Sequence, residues 1–99
     1  MVAAEGKERQ MKYFAAIQSV LDVDKIAAVR SAHIDYLDRM VAEGKIHLKG
    51  KFPDGSGGLT IYRAETLEEG RALANHDPYV SSGARRLEFH EWDMKPKPG

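Results

Sequence analysis

The chain has 99 residues, 15 basic against 15 acidic side chains, and no cysteine. That length suits one small domain with a modest core, and the balanced, interleaved charge argues against an extended nucleic-acid footprint. The lack of cysteine excludes a disulfide framework, a thiolate nucleophile and any sulfur-built zinc site, and no apolar run reaches the roughly twenty residues that span a bilayer.

In the absence of a signal-peptide-like apolar stretch, a soluble, cytoplasmic protein is expected. Residues 1–10 include Glu5-Gly6-Lys7-Glu8-Arg9-Gln10, polar and without periodicity, and read as a flexible leader or extension ahead of a domain at 11–94. Residues 95–99, Lys95-Pro96-Lys97-Pro98-Gly99, cannot extend a strand and read as a flexible tail.

Met11 to Gln18 is rich in strand formers, with Tyr13, Ala15 and Ile17 alternating against Lys12, Phe14 and Ala16. Asp22 then caps a helix, with Leu21 and Ile26 spaced as a hydrophobic staple. Apolar side chains recur at Ile26, Val29, Leu37, Met40 and Val41, and His33 falls on the same stripe. Gly44 supplies the left-handed stop. One helix over Val23–Glu43 fits, and so does a break at Ser31, a competent N-cap that would put His33 in a first turn, where the macrodipole favours a neutral imidazole.

Lys45 to Phe52 alternates, with Ile46, Leu48 and Phe52 on one side and Lys45, His47, Lys49 and Lys51 on the other. This predicts a strand whose lysine face meets water. Pro53-Asp54-Gly55-Ser56-Gly57-Gly58 is a turn cluster, read as a mobile hairpin tip, and Leu59 to Ala64 resumes strand character. Thr66 and Glu69 have capping-box spacing and open a helix to about Asn75, which Pro78 ends by pushing Asp77 out of helical geometry. Arg85 to Met94 is a last strand whose apolar positions change parity, as a bulge would make them.

Strand, helix, strand, strand, helix, strand is the α+β, ferredoxin-like βαββαβ order, with one antiparallel sheet and both helices on one face. Apolar groups of both parities in the first and last strands, Phe14 beside Tyr13 and Ile17 and Trp92 beside Phe89, leave the other face wanting a cover. A second copy is the simplest one, giving a homodimer of the dimeric α+β barrel kind.

Among residues able to do chemistry, His33 carries an imidazole, a group that can both take and give a proton; an imidazole on an apolar stripe is, more ordinarily, a core histidine bonded to backbone. Asp77 is ordinarily a turn-forming Asp-Pro, and in the functional reading it holds the His33 ring in one tautomer. Ser82, five positions on, offers a hydroxyl to a substrate or, more ordinarily, a turn cap; no Gly-x-Ser-x-Gly elbow supports it as a nucleophile. Tyr79 and Trp92 are either core aromatics or pocket walls. His33, His47, His76 and His90 show no metal-ligand spacing, and the glycines at 55–58 lead into a strand rather than the helix of a phosphate loop; neither a metal nor a cofactor is expected.

Arg30-x-x-His33, Leu37, Gly44, Gly50 and Asp77-Pro78-Tyr79-Val80, in this order over Lys12 to about Met94, resemble the YCII-related (YciI-like) family. The resemblance implies a dimeric α+β barrel of ferredoxin-like chains, with His33 and Asp77 as a catalytic pair near the dimer interface and Arg30 as an anion-holding residue. It also implies chemistry akin to dehydrochlorination of a chlorinated hydroxyhydroquinone, an activity in the family for which histidine, aspartate and serine are implicated; Ser82 stands where that serine is expected. Two departures reshape the pocket wall: Gly50-Lys51 replaces a frequent Gly-Pro, and the 53–58 loop is short.

The leading expectation is a small cofactor-independent lyase or hydrolase acting on a compact anionic or aromatic molecule, with His33 and Asp77 catalytic and Ser82, Arg30 and Tyr79 binding substrate. The alternative is a non-catalytic homodimer that binds a small molecule or protein, because this fold hosts both. A cofactor-free monooxygenase using Trp92 or a histidine ranks behind them. No nucleic-acid or membrane partner is expected.

Overall fold

The computed structural model describes residues 11–95. The leader expected at 1–10, and all of the expected tail except Lys95, lie outside the described residues. The elements are β1 (Lys12–Val20), α1 (Val23–Ala42), β2 (Ile46–Lys51), β3 (Gly57–Ala64), α2 (Leu67–Asn75), α3 (Pro78–Ser81) and β4 (Arg85–Trp92). The strands form one antiparallel sheet in the order β2-β3-β1-β4, the ferredoxin-like arrangement expected from the element order.

Most helix ends follow local sequence. The Asp22 carboxylate accepts from the backbone N–H groups of Asp24 and Lys25, satisfying two of the donors a helix start leaves open. Leu21, its expected staple partner, is instead 61% exposed. At the other end Gly44 adopts φ +74°, and the Lys45 and Gly44 N–H groups reach the carbonyls of Met40 and Val41, a Schellman stop. Helix α1 runs unbroken through Ser31, so His33 lies well inside it, and the first-turn argument for its neutral form does not apply. Thr66 caps α2 through the Glu69 N–H, while the Glu69 carboxylate bonds the Glu65 N–H rather than that of the cap residue.

Paired residues on neighbouring strands share a face, so the register sorts the sheet. Phe14, Ala16, Gln18, Thr60, Tyr62, Ala64, Leu87 and Phe89 face the helices, where Tyr36, Leu37, Met40, Leu73 and Ala74 cover the core. Tyr13, Ala15, Ile17, Leu59, Ile61 and Trp92 face the other way. The β1–β4 register runs without interruption, so the parity change near Trp92 reflects its place on the second face and not a bulge. The irregularity sits in β2: Ile46 pairs with Tyr62 and Leu48 with Ile61, leaving one extra residue between them. From there on Leu48 shares the open face with Ile61, whereas Lys49 and Lys51 join Thr60 and Gly58 on the helix side. Lys49 and Lys51 are exposed, as a lysine face meeting water requires, but after the irregularity that face lies on the same side of the sheet as Ile46.

The 53–58 tip is tied rather than loose. The Val20 N–H donates to the Ser56 carbonyl, and a Cβ on Gly57 would run into the Gln18 carbonyl oxygen, so only glycine lets β3 lie this close to β1. Strand β3 accordingly begins two residues earlier than Leu59.

The same reasoning applies where α2 crosses the sheet. A Cβ on Gly70 would stand 2.7 Å from Cδ2 of the fully buried Phe14, whose ring is stacked on Phe89. In an exposed helix Gly→Ala gains about 1 kcal/mol of propensity. Here the overlap with a ring that has nowhere to move outweighs it, and Gly70→Ala is expected to lower stability by about 1–3 kcal/mol, read as a lower midpoint in urea denaturation.

Candidate active site

The Asp-Pro sequence that ends α2 also starts α3. Asp77 is extended (φ −61°, ψ 125°), Pro78 occupies the first helical turn, where its missing N–H costs nothing, and the Asp77 carboxylate caps the Tyr79 N–H at 2.9 Å. This one-turn helix was not foreseen from the sequence. It fixes the Asp77 side chain at 0% exposure, beneath α1.

The carboxylate accepts two further bonds. His33 Nδ1 lies 2.7 Å from Oδ1, and Gln18 Nε2 donates to Oδ2 at 3.0 Å. A carboxylate can only accept, so the neutral His33 ring carries its proton on Nδ1 and leaves the Nε2 lone pair for a ligand. The tyrosine ring of Tyr79 stacks on the imidazole, with centroids 3.8 Å apart and planes 16° apart. The Arg85 guanidinium carbon stands 4.4 Å from the same tyrosine ring, and Arg85 Nη1 donates to Gln18 Oε1 at 3.1 Å. Gln18 therefore has only one workable amide orientation, N–H toward the carboxylate and oxygen toward the guanidinium.

The electrostatic consequences reach outward. Burial, with the Asp77 charge behind it, pushes the Tyr36 phenol up to about 12 and raises that of Tyr62 as well. The Tyr36 hydroxyl donates to the Leu73 carbonyl at 2.6 Å, a bond that also favours the neutral phenol. Burial lowers the Arg85 guanidinium, opposed by Tyr79 and Asp77.

A cavity of about 310 Å³ opens beside this cluster, lined from α1 by Arg30, His33, Ile34 and Leu37, successive members of one helical face, and from elsewhere by Tyr79 and Arg85. Strands β2 and β3 close the far side through Lys49, Gly50, Lys51, Gly58, Leu59 and Thr60. The structure thus gathers Arg30, His33, Asp77 and Tyr79 in one place. Ser82 is not among the lining residues: its Oγ accepts the Ala84 N–H at 3.3 Å, the turn-capping role. Trp92 lies away from this cavity, in an apolar groove on the open face with Leu48 and Ile61. His47 rests edge-on against Tyr13, His90 bonds Glu88, and both are exposed. Among the described residues no three His, Cys, Asp or Glu side chains form a metal-binding group, and no helix is long and apolar enough to cross a membrane.

Sequence reasoning missed Gln18, Arg85, Lys49 and Lys51. Only Gln18 left a local signal, being polar at the position that continues the buried Phe14, Ala16 parity.

The YCII-related domain profile matches residues 11–93, nearly all of the described chain. The chain belongs to the YCII-related family. Its sequence is 37% identical over 65 residues to the uncharacterised protein YjpA of Bacillus subtilis (strain 168), covering 66% of this chain and 76% of YjpA. Among solved structures its fold is similar to 5-chloro-2-hydroxyhydroquinone dehydrochlorinase (TftG) from Burkholderia phenoliruptrix AC1100, in complex with 2,5-dihydroxybenzoquinone. That match has a TM-score of 0.70 and 19% identity and covers 84% of this chain and 95% of the other. It speaks for the fold of this YCII-related chain.

In this family member the Asp77 carboxylate imposes one His33 tautomer through the 2.7 Å contact. The Tyr79 N–H and His33 Nδ1 share Oδ1, so Asp77→Asn keeps one oxygen for both, but a neutral amide is a weaker acceptor and its NH₂ end opposes the Gln18 amide N–H. Wild-type His33 is expected to show nitrogen chemical shifts of the Nδ1–H form at high pH, and the variant a mixture of both tautomers.

Proposed function

We propose that this YCII-related protein is a cofactor-independent, lyase-type enzyme for a small molecule, with His33 as acid/base and Asp77 as its orienting partner. The observation that carries the reading is the His33 imidazole, held at Nδ1 by a fully buried carboxylate on the wall of a one-ring-sized cavity. With that nitrogen committed, Nε2 takes the proton of a substrate hydroxyl. In the keto tautomer of the substrate, where the carbon bearing the leaving group is saturated, the electron pair left on oxygen becomes a carbonyl, the adjacent double bond shifts to that carbon and the leaving group departs with its bonding pair. The imidazolium formed is stabilised by the Asp77 charge. Tyr79 holds the ring plane of His33, and Arg30 meets the anionic form of the substrate at the cavity mouth. Ser82, occupied with a backbone N–H, has no part in this scheme.

The fold similarity to a dehydrochlorinase makes chlorinated hydroxyhydroquinones the first compounds to test. Wild-type protein is expected to release chloride from a member of that series. His33→Ala should lower kcat by about 10²–10⁴-fold, the usual worth of a positioned general base, while its circular dichroism is unchanged. A His33→Ala protein as active as wild type, or a wild type inert toward the whole series, would defeat the assignment.

The reading extends to a homodimer built on the open sheet face. Support comes from the apolar surface left there, with Leu48 59% and Trp92 45% exposed and Ile17 and Leu59 between the helix-free strands. The 11.0 kDa chain is expected to sediment at twice its mass. Leu48→Glu combined with Trp92→Glu should return it to the monomer, because carboxylates facing one another across a dry interface are costly to bury.

A further inference from the structure

The cavity has a charge pattern that acid/base chemistry alone does not require. Arg30, Lys49, Lys51 and Arg85 all line it, and no aspartate or glutamate does. Among the described residues none of these four cations lies within ion-pair distance of a carboxylate, although Lys12, Lys45 and Lys95 each do. Arg85 Nε is buried with no hydrogen-bond partner at all. In a chain of zero net charge, four unneutralised cations around one small cavity are a concentrated field, opposed locally only by Asp77 behind the His33 ring.

The two lysines are there because of the β2 irregularity. Ile46 faces the core opposite Tyr62, and uninterrupted alternation would send residues 48 and 50 to that same side and the lysines to the open face. The extra residue between Ile46 and Leu48 reverses the parity, so that Leu48 joins the open face and Lys49 and Lys51 the helix side, where they line the cavity while also bordering the open-face groove. A volume of about 310 Å³ is at the small end for ligand sites and suits roughly one ring with its substituents.

We propose that the cavity selects a compact, one-ring organic anion, and that Lys49 and Lys51, turned inward by the β2 bulge, are the residues that read its charge. The Lys ammonium groups act as point charges on flexible stems and accept carboxylate or enolate oxygens in varied geometry, while Arg30 and Arg85 add fixed donors at the α1 and β4 sides. This deepens the acid/base reading of the same cavity, but it concerns binding and stands or falls without turnover.

The test is a charge series of matched probes, benzamide, benzoate and benzene-1,4-dicarboxylate. Their binding is followed by the shifts of the His33 and Tyr79 ring signals in NMR titrations of the whole protein. Affinity is expected to rise from benzamide to benzoate to the dicarboxylate and to fall with added salt. K49Q/K51Q should weaken the dicarboxylate by about tenfold or more. K12Q/K45Q makes the same change in net charge outside the cavity and should alter that affinity less than about twofold. Equal affinity across the series, equal loss in the two double variants, or no binding by any of the three probes would overturn the assignment. A protein that still releases chloride in a His33-dependent way would keep its acid/base chemistry while losing this specificity, so the two failures are distinguishable.

Discussion

The site depends on one buried carboxylate that has to be satisfied. Asp77 is removed from water, and an ionised carboxylate in that position is tolerable only when its lone pairs are met by donors. The donors come from three parts of the chain: the imidazole of α1, the amide of Gln18 on β1, and the backbone N–H of Tyr79 in its own turn. Any arrangement of these elements that leaves Asp77 buried but misses one donor carries an unmet charge. The position of His33 relative to the sheet is therefore set by electrostatics as much as by packing.

The constraint propagates in a closed path. Gln18 passes from Asp77 to Arg85, Arg85 lies over Tyr79, Tyr79 stacks on His33, and His33 returns to Asp77. Each member fixes the orientation of the next, so the imidazole plane, its tautomer and its distance from the cavity are all determined before any ligand arrives. In the proposed acid/base chemistry such preorganisation serves a weak base, since the protein need not reorganise when charge develops. It also makes Asp77 a structural residue and a chemical one at once. Truncating it removes the cap of α3 together with the partner of His33, whereas the amide isostere keeps the oxygen that serves both and removes only the charge.

What was legible in the sequence was local. The caps at Asp22 and Thr66, the Gly44 stop, the Pro78 boundary and the strand alternations all operate within a few residues, and they sufficed to order the elements into a ferredoxin-like sheet. His33 stood out on a helical stripe, Asp77 at a helix boundary and Tyr79 as an aromatic beside it, whereas Arg30 came only from the family resemblance. Gln18 and Arg85 were missed, for their partners lie 59 and 67 positions away, and the one local mark is the polar side chain of Gln18 at a buried parity of β1. The parity change in β4 was read as a bulge because alternation alone cannot distinguish a kinked strand from one with two apolar faces. In β2 the error was of the opposite kind: regular alternation in sequence concealed a register break that exists only against Tyr62 and Ile61.

That break ties together the two surfaces of the sheet. With one residue added between Ile46 and Leu48, the strand anchors its start in the core, gives Leu48 to the apolar face proposed for a second copy, and sets Lys49 and Lys51 on the helix side, where they line the cavity and border the open-face groove. A straight β2 would reverse both assignments, setting charge against the proposed partner and a leucine against the ligand. The extra residue costs a ladder interaction at the sheet edge, where pairing is least complete and the loss is smallest. Its position next to the cavity, rather than in the central strands β1 and β3, fits a feature that serves specificity without disturbing the strands that carry Gln18 and the core.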